Sequence, residues 1–315
     1  MTECGTTTYT NPDDYRVNVP GMAIDLALTG HDAFKARVTW MRMRHITVVM
    51  IEEIAPRVAF LSWALALTVF AFPLHGEPVW NGLRLRRGDF VLLGSGGHLH
   101  QLVDAGTRWG MILIPSKDFA AYSRALLGKS LPPIREMQFI RPAGKATGNL
   151  LRLHRRACRL AASHQEMMAH HEVARSAEQE LIHALVNALS TAEPRDASNT
   201  QQRRAGIMVR FEKALTDGRA RLSLPALSAA LGVPQRTLRI CCEEFVGCSP
   251  LAYARLRRLN RARSALCRAD HETESVASIA KAYGFLQPGR FAVAYRELFG
   301  EMPSATFQRN SAESA

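Results

Sequence analysis

The stretch that decides the fold occurs twice toward the end of the chain. Residues 224–250 read LPALSAALGVPQRTLRICCEEFVGCSP, and residues 276–303 read VASIAKAYGFLQPGRFAVAYRELFGEMP. Gly232 and Gly284 stand 52 positions apart, and after a one-residue slip in the turn the offset becomes 53. The pairs at the second offset are Leu238 with Phe291, Cys242 with Tyr295, Phe245 with Leu298, Gly247 with Gly300, and Pro250 with Pro303. An internal repeat of this kind predicts two copies of one supersecondary unit.

Each copy has the composition of a helix-turn-helix unit. Small residues stand where two helices would cross: Ala226, Ala229 and Ala230 in the first copy, and Ala277, Ala280 and Ala282 in the second. A glycine follows each first helix, where the chain adopts a left-handed backbone that side chains resist. The second helix buries one apolar stripe and leaves its opposite face free for the major groove of DNA.

The segment between the two copies is basic and has helical periodicity. Residues 250–268 read PLAYARLRRLNRARSALCR, with Tyr253, Leu256, Leu259, Ala262 and Leu266 on one face. A stiff helix here would fix the distance and angle between the units. On straight B-DNA, two recognition helices on one face enter major grooves about 34 Å apart.

The positive charge of the chain is concentrated in the same region. The chain holds 40 Lys and Arg against 28 Asp and Glu, and residues 201–310 hold 18 against 9 of these, which is +9 of the total +12. A phosphate-facing domain beside a nearly neutral one would have this distribution. On charge alone, a solvated basic face without a nucleic-acid partner fits equally well.

Residues 205–308 resemble the DNA-binding domain of the AraC/XylS family of bacterial regulators. The motifs that carry the resemblance are Gly232-Val233, Arg236-Thr237-Leu238, Gly247 with Ser249-Pro250, Ile279-Ala280, Gly284-Phe285, Phe291, Phe299-Gly300 and Pro303-Ser304. The resemblance implies a seven-helix domain, double-stranded promoter DNA as the partner, and usually a homodimer on half-sites. It also implies a regulator, an activator or a repressor, and not an enzyme, with RNA polymerase as a further candidate partner and no cofactor.

The resemblance also carries over residue by residue to the outward faces of the recognition helices. In the family, positions that match Arg236, Arg239 and Ile240 commonly contact base edges, and the Arg fork fits O6 and N7 of guanine. The alternative is that these arginines bind only phosphate. The predicted DNA-contacting residues are Gln235, Arg236, Arg239, Ile240, Gln287, Arg290 and Arg296. Because Gly289 and Val293 can make few hydrogen bonds, we expect the second unit to recognise little sequence directly.

The first two thirds of the chain predict an α+β architecture with a separate sensor domain. Short apolar runs between Gly and Pro residues predict strands from about residue 21 to 114, and residues 80–96 resemble part of a cupin-like barrel. The predicted domains are a flexible arm (1–20), a cupin-like effector and dimerisation domain with flanking helices (21–190), a linker (191–204) and the all-α DNA-binding domain (205–310). The apolar run at 58–74 fits buried strands better than a membrane span.

A small-molecule effector is expected in the N-terminal domain. Flat aromatic walls and polar groups are common in such pockets, and the candidate lining is Trp40, Trp80, His98 and His100. Core packing is the commoner use of Trp. The pair of histidines, with His75 and Asp104, also raises a metal-binding cupin enzyme as an alternative. The usual cupin Glu is missing, so we predict no metal site.

Two amphipathic segments, residues 150–162 and 177–189, predict helices beside the barrel. The stripe of Leu181, Leu185 and Leu189 can pack on the barrel or on a second copy, and a homodimer contact is predicted there.

The six cysteines form no C-x-x-C pair, and the N-terminus does not resemble a signal peptide, which together favour reduced thiols in a cytoplasmic protein. An alkylation or redox sensor is a further alternative. Cys4 and Cys158 lack the neighbouring cysteines that such a site needs.

Overall fold

The computed structural model describes residues 2–15, 22–63, 66–94, 96–128, 134, 137–163, 166, 170–195, 199–216 and 223–313. The strands within them are Glu3–Tyr9 (β1), Met22–Leu28 (β2), Ala36–Arg42 (β3), Thr47–Glu53 (β4), Arg57–Trp63 (β5), Leu67–His75 (β6), Val79–Trp80 (β7), Leu83–Arg84 (β8), Phe90–Leu93 (β9), His98–Val103 (β10), Thr107–Pro115 (β11), Gln138–Arg141 (β12) and Glu193–Arg195 (β13). The helices are Ser116–Leu127 (α1), Gly144–Ser163 (α2), His171–Ser190 (α3), Asn199–Thr216 (α4), Leu224–Leu231 (α5), Gln235–Val246 (α6), Pro250–Arg268 (α7), Val276–Ala282 (α8), Pro288–Phe299 (α9) and Pro303–Glu313 (α10).

The strands form two antiparallel sheets. One has eight strands in the order β1-β3-β4-β11-β6-β9-β12-β13, and the other has five in the order β2-β5-β10-β7-β8. Hydrogen bonds between the described strands do not close these sheets into one barrel, so the cupin-like detail of the prediction is not confirmed, whereas its strands and helices are. The strand-turn-strand pattern that suggested a barrel is local, whereas closure depends on pairing between distant strands.

Along the strands of the larger sheet, successive side chains point to opposite faces, and each face contributes to a different hydrophobic core. In β6, Phe70 and Phe72 point to one face, and Val69 and Ala71 point to the other. The first core packs against α1, α2 and α3, and the second contains residues of both sheets and lies between them. Because side chains alternate between the faces and both faces are covered, β6 is a nearly continuous run of buried apolar residues.

Several segments predicted from periodicity are confirmed. The predicted helices 150–162 and 177–189 lie inside α2 and α3, and the predicted connector 250–268 coincides with α7. The apolar run at 58–74 contributes to β5 and β6. No helix in the described ranges has both the length and the apolar character needed to cross a membrane.

Two predictions about the irregular segments are wrong. Residues 3–9 of the predicted arm form strand β1, which pairs with β3 from Glu3 opposite Arg42 to Tyr9 opposite Ala36. Its polar side chains suggested a loose end, but a run of β-branched threonines also suits a pleated strand. The predicted linker 191–204 contains β13 and the start of α4, so its described residues are largely strand and helix. Residues 16–20 of the arm and 196–198 of the linker lie outside the described residues.

Candidate nucleic-acid interface

The first helix-turn-helix unit consists of α5 and α6. Ser223 caps α5, and its hydroxyl accepts a hydrogen bond from the backbone N–H of Ala226 at 3.3 Å. Gly232 ends the helix with a φ of 65°, the left-handed conformation that the sequence predicts for the turn. The predicted apolar stripe of α6 is confirmed, because Leu238, Cys242 and Phe245 are all fully buried.

The second unit, α8 and α9, repeats this design. Ser275 and Ser278 form a capping box at the start of α8, and Gly284 has a φ of 79° in the turn. On α9, Phe291 and Tyr295 are buried, and the Tyr295 hydroxyl lies 2.8 Å from that of Thr306 in α10. The seven helices from α4 to α10 agree with the domain that the resemblance implies.

The connector helix α7 contacts both units, and some of its charge is used internally. The guanidinium of Arg258 lies 5.1 Å from the ring centre of Phe285 in the second turn, and that of Arg263 lies 5.4 Å from Phe299. Such cation–π contacts stabilise the position of the second unit. Sequence reasoning missed them, because it assigned the connector's basic residues to a phosphate-facing surface as a group.

The predicted DNA-contacting side chains lie on the outward faces of the two units. Gln235, Arg236, Arg239, Gln287, Arg290 and Arg296 are exposed, and Ile240 is half-buried. Across the described ranges, no hydrogen bond or ion pair engages the side chains of the four arginines of this set. By contrast, Arg204 at the domain junction lies 2.6 Å from the carboxylate of Glu244. Four exposed guanidinium groups are therefore available to phosphate oxygens or guanine edges.

The outward face of the second unit also carries large apolar side chains. Leu286 is 79% exposed and Val293 is 50% exposed. The prediction that Val293 points outward is confirmed, whereas the exposure of Leu286 was not predicted from the sequence.

The first unit is joined to the N-terminal domain through a polar cluster, which we call the Glu212 cluster (Asp25, His100, Glu212, Tyr253 and Arg257), and all of its members except the half-exposed Asp25 are buried. The Glu212 carboxylate lies 3.2 Å from Nε2 of His100 on β10, accepts a hydrogen bond from the Tyr253 hydroxyl, and lies 3.3 Å from Arg257. Arg257 also pairs with Asp25 on β2. Burial raises the pKa of Glu212, but His100 and Arg257 outweigh burial and hold the pKa below its usual value.

Further contacts hold the connector and the recognition helix against the smaller sheet. Asn260 of α7 pairs with the backbone of Leu28, accepting from its N–H at 2.8 Å and donating to its carbonyl at 3.1 Å. Phe245 of α6 lies 5.9 Å from the ring centre of His100. A signal for this junction exists in the sequence, since Glu212 interrupts the apolar residues of α4. Its partners cannot be identified from the sequence, because His100 lies 112 positions away.

The four residues predicted to line an effector pocket do not come together. Trp80 is fully buried against Trp109 with ring centres 5.6 Å apart, and Trp40 is half-buried. His100 belongs to the Glu212 cluster. His98 alone of the four lines a cavity of about 320 Å³ at the junction of the smaller sheet with α4. Other residues that line this cavity include Trp63, Phe139, Gln201 and Val209.

The three leucines predicted to form a homodimer contact pack inside their own chain. Leu181 and Leu185 are 2% and 1% exposed, and Leu189 is half-buried against the same core. Periodicity showed an apolar stripe without showing which neighbour covers it, and α1, α2 and the larger sheet cover it here. The predicted contact is therefore corrected for Leu181 and Leu185, and the homodimer itself stays a prediction.

The described histidines and cysteines lack the surroundings of a metal or redox site. Within the described ranges, no three His, Cys, Asp or Glu side chains are grouped as metal ligands would be. His98 stacks on Phe60 with ring centres 5.3 Å apart. Burial raises the pKa of Cys158 to about 12, and burial also raises the pKa of Cys241 and Cys242. A raised pKa keeps a thiol protonated and unreactive.

Comparison with known proteins identifies the same helical region. Residues 227–309 match the family model of a helix-turn-helix domain. The chain is 36% identical over 83 residues to the probable thc operon regulatory protein of Rhodococcus erythropolis. It is 38% identical over 85 residues to XylDLEGF operon transcriptional activator 2 of Pseudomonas putida. These matches cover 26% and 27% of this chain but only 25% and 54% of the two relatives. The chain thus spans between a quarter and about half the length of the relatives that it matches.

The chain also has a weak structural likeness to two solved structures. A probable AraC family transcriptional regulator from Rhodopseudomonas palustris is 30% identical, and the alignment covers 36% of this chain and 98% of that one with a TM-score of 0.30. The AraC-like transcriptional activator CuxR is 14% identical, and the alignment covers 77% of this chain and 87% of that one with a TM-score of 0.37.

Proposed function

We propose that the chain is a member of the AraC/XylS family of transcriptional regulators, and that it binds promoter DNA sequence-specifically and controls transcription. One observation carries the proposal. Two helix-turn-helix units, joined by the single helix α7, present four exposed arginines that have no partner in the described part of the chain. In this role the two recognition helices enter neighbouring major grooves, and the arginines bind phosphates and base edges.

The first experiment measures DNA binding by the full-length protein. Fluorescence anisotropy with a site obtained by selection, compared with random duplex, should show specific binding that weakens steeply with salt, because phosphate contacts release counterions. The double variant Arg236→Ala/Arg239→Ala should lose specific binding. Arg159→Ala removes an exposed arginine from α2, outside both units, and should bind like the unmodified protein. Equal affinity for selected and random duplex at moderate salt would contradict the proposal.

The regulator is further proposed to respond to a small molecule in the junction cavity. The cavity has aromatic walls from Trp63 and Phe139, with polar groups from His98 and Gln201, and it is bounded by α4 on the side of the DNA-binding domain. At about 320 Å³ it suits a small, mostly apolar compound with one or two hydrogen-bonding groups. A compound bound there would contact both domains and alter how they pack.

This second part of the proposal is tested by filling the cavity. A thermal-shift screen should find small aromatic or aliphatic compounds that stabilise the full-length protein. Val209→Trp, on the α4 wall, should abolish that stabilisation while leaving specific DNA binding intact. Compounds that stabilise the variant and the unmodified protein equally would show that the effector binds elsewhere.

A further inference from the structure

The second helix-turn-helix unit differs from the first by one residue in its turn. Six positions separate Gly232 from the buried Leu238 of the first unit, whereas seven separate Gly284 from the buried Phe291 of the second. The longer turn contains Leu286, whose side chain is 79% exposed and is the most exposed of the large hydrophobic residues in the described ranges. The additional residue therefore presents an apolar group on the outside of the unit.

A second exposed apolar group lies on the recognition helix that follows this turn. Val293 is 50% exposed, and Arg290 and Arg296 stand three positions before and after it. Residues three apart share one helix face, so the valine is flanked by two cations on the face that points outward. Isolated exposed apolar residues are ordinary on protein surfaces. Two of them beside unpaired arginines on a recognition surface call for a partner that is both apolar and anionic.

The major groove of thymine-containing DNA has both properties. Thymine presents a C5 methyl group there, and an apolar side chain recognises it by contact, without a hydrogen bond. The phosphates on either side carry the negative charge that Arg290 and Arg296 complement. Gly289, exposed in the first turn of α9, has no side chain that would obstruct such an approach.

We propose that the second unit recognises thymine through its methyl group, with Val293 and Leu286 as the contacting side chains. The inference rests on the proposed DNA-binding function and specifies what the second unit recognises. Arg290 and Arg296 bind the flanking phosphates and hold α9 in the groove. The first unit works differently, since Ile240, the residue that matches Val293, is half-buried beside the exposed Arg236 and Arg239.

The experiment compares thymine with deoxyuridine, which forms the same base pair but lacks the methyl group. The full-length protein is titrated with its selected site, and the thymines under the second unit are replaced one at a time. Each contacted methyl group should contribute about fourfold to affinity, the value expected for one buried apolar carbon. Val293→Ala and Leu286→Ala should weaken binding to the thymine site and remove its preference over the uracil site. Val173→Ala, at an exposed valine of α3, should keep the full preference.

The other outcomes overturn the inference in distinguishable ways. Specific binding that is indifferent to every uracil replacement under the second unit refutes methyl recognition and leaves the proposed function intact. Absence of any specific binding removes both. If the Val293 and Leu286 variants keep full affinity and full uracil discrimination but lose activation of transcription, these side chains contact a protein of the transcription machinery instead.

Discussion

The two helix-turn-helix units share a scaffold but present different recognition surfaces. Each begins with a serine cap and turns at a left-handed glycine, with φ values of 65° at Gly232 and 79° at Gly284. Outside, the first unit offers Arg236 and Arg239, whereas the second offers Val293 between two arginines. Packing constrains the inner face of a recognition helix, while its outer face is free to change. A repeated fold is therefore poor grounds for assuming a repeated contact with DNA.

The units also differ in how they are held by the N-terminal domain. Helix α6 of the first unit packs on β10, and the Glu212 cluster lies beside it. Helix α9 of the second unit packs mainly against α8 and α10, with Phe299 at its end reaching the core between the sheets. A change in the N-terminal domain should therefore reach the first unit more directly than the second.

Of the substitutions that test this difference between the units, replacement of Glu212 is expected to have the largest effect. Glu212→Ala leaves Arg257 buried with only Asp25 as an acidic partner, so the free energy of unfolding should fall by about 3 kcal/mol. Chemical denaturation of the full-length protein measures this loss. Hydrogen exchange should show protection lost in α6 and retained in α9. Glu243→Ala, at an exposed carboxylate of α6, should change stability by no more than about 0.5 kcal/mol. Equal effects of the two variants would mean that the cluster does not support the first unit.

The same cluster should make stability depend on pH in the acidic range. The pKa of Glu212 is lower in the folded chain than its ordinary value of 4.5, so the carboxylate stabilises the fold above that value. This contribution is lost as pH falls through the folded pKa, when the carboxylate takes up a proton. Denaturation curves should show the loss in the unmodified protein, and Glu212→Ala should show a correspondingly smaller dependence on pH. An identical pH profile for both proteins would contradict this assignment.

The next prediction concerns which of the two units recognises the DNA sequence. Arg236→Ala or Arg239→Ala should cost about 1–3 kcal/mol of binding free energy and relax specificity at one or two base pairs. Arg290→Ala should weaken binding evenly across sequences and reduce the salt dependence by about one phosphate contact. Selection of binding sites with each variant separates these outcomes. If selection found base preferences of the kind that hydrogen bonds produce only at base pairs beneath the second unit, direct base recognition would have to be assigned to that unit instead of the first.

The DNA-binding units were predictable from sequence because their signals are local. Gly232, Gly284 and the buried stripes on α6 and α9 follow from backbone conformation and helical periodicity within short segments. The Glu212 cluster was not predictable, because Tyr253 and His100 lie 41 and 112 positions away from the carboxylate. The leucine stripe of α3 shows the same limit. Its periodicity was correct, but the neighbour that covers it is decided by the tertiary fold.

The smallest effects are expected where the units are most alike, at the two turn glycines. Gly232→Ala and Gly284→Ala should each lower the free energy of unfolding by about 1 kcal/mol, because an alanine resists positive φ. A Cβ at position 232 would meet no described atom within 4 Å, and one at 284 would lie 3.0 Å from the Arg258 guanidinium, which would have to shift slightly on Phe285. Steric contact therefore adds little at either site, and backbone strain dominates at both. Gly289→Ala is the matched control, because Gly289 lies in the first turn of α9 without a positive φ, and alanine there should be neutral or slightly stabilising. Chemical denaturation of the three variants tests the comparison directly, since a large cost at one turn and none at the other would mean that the two scaffolds are not equivalent.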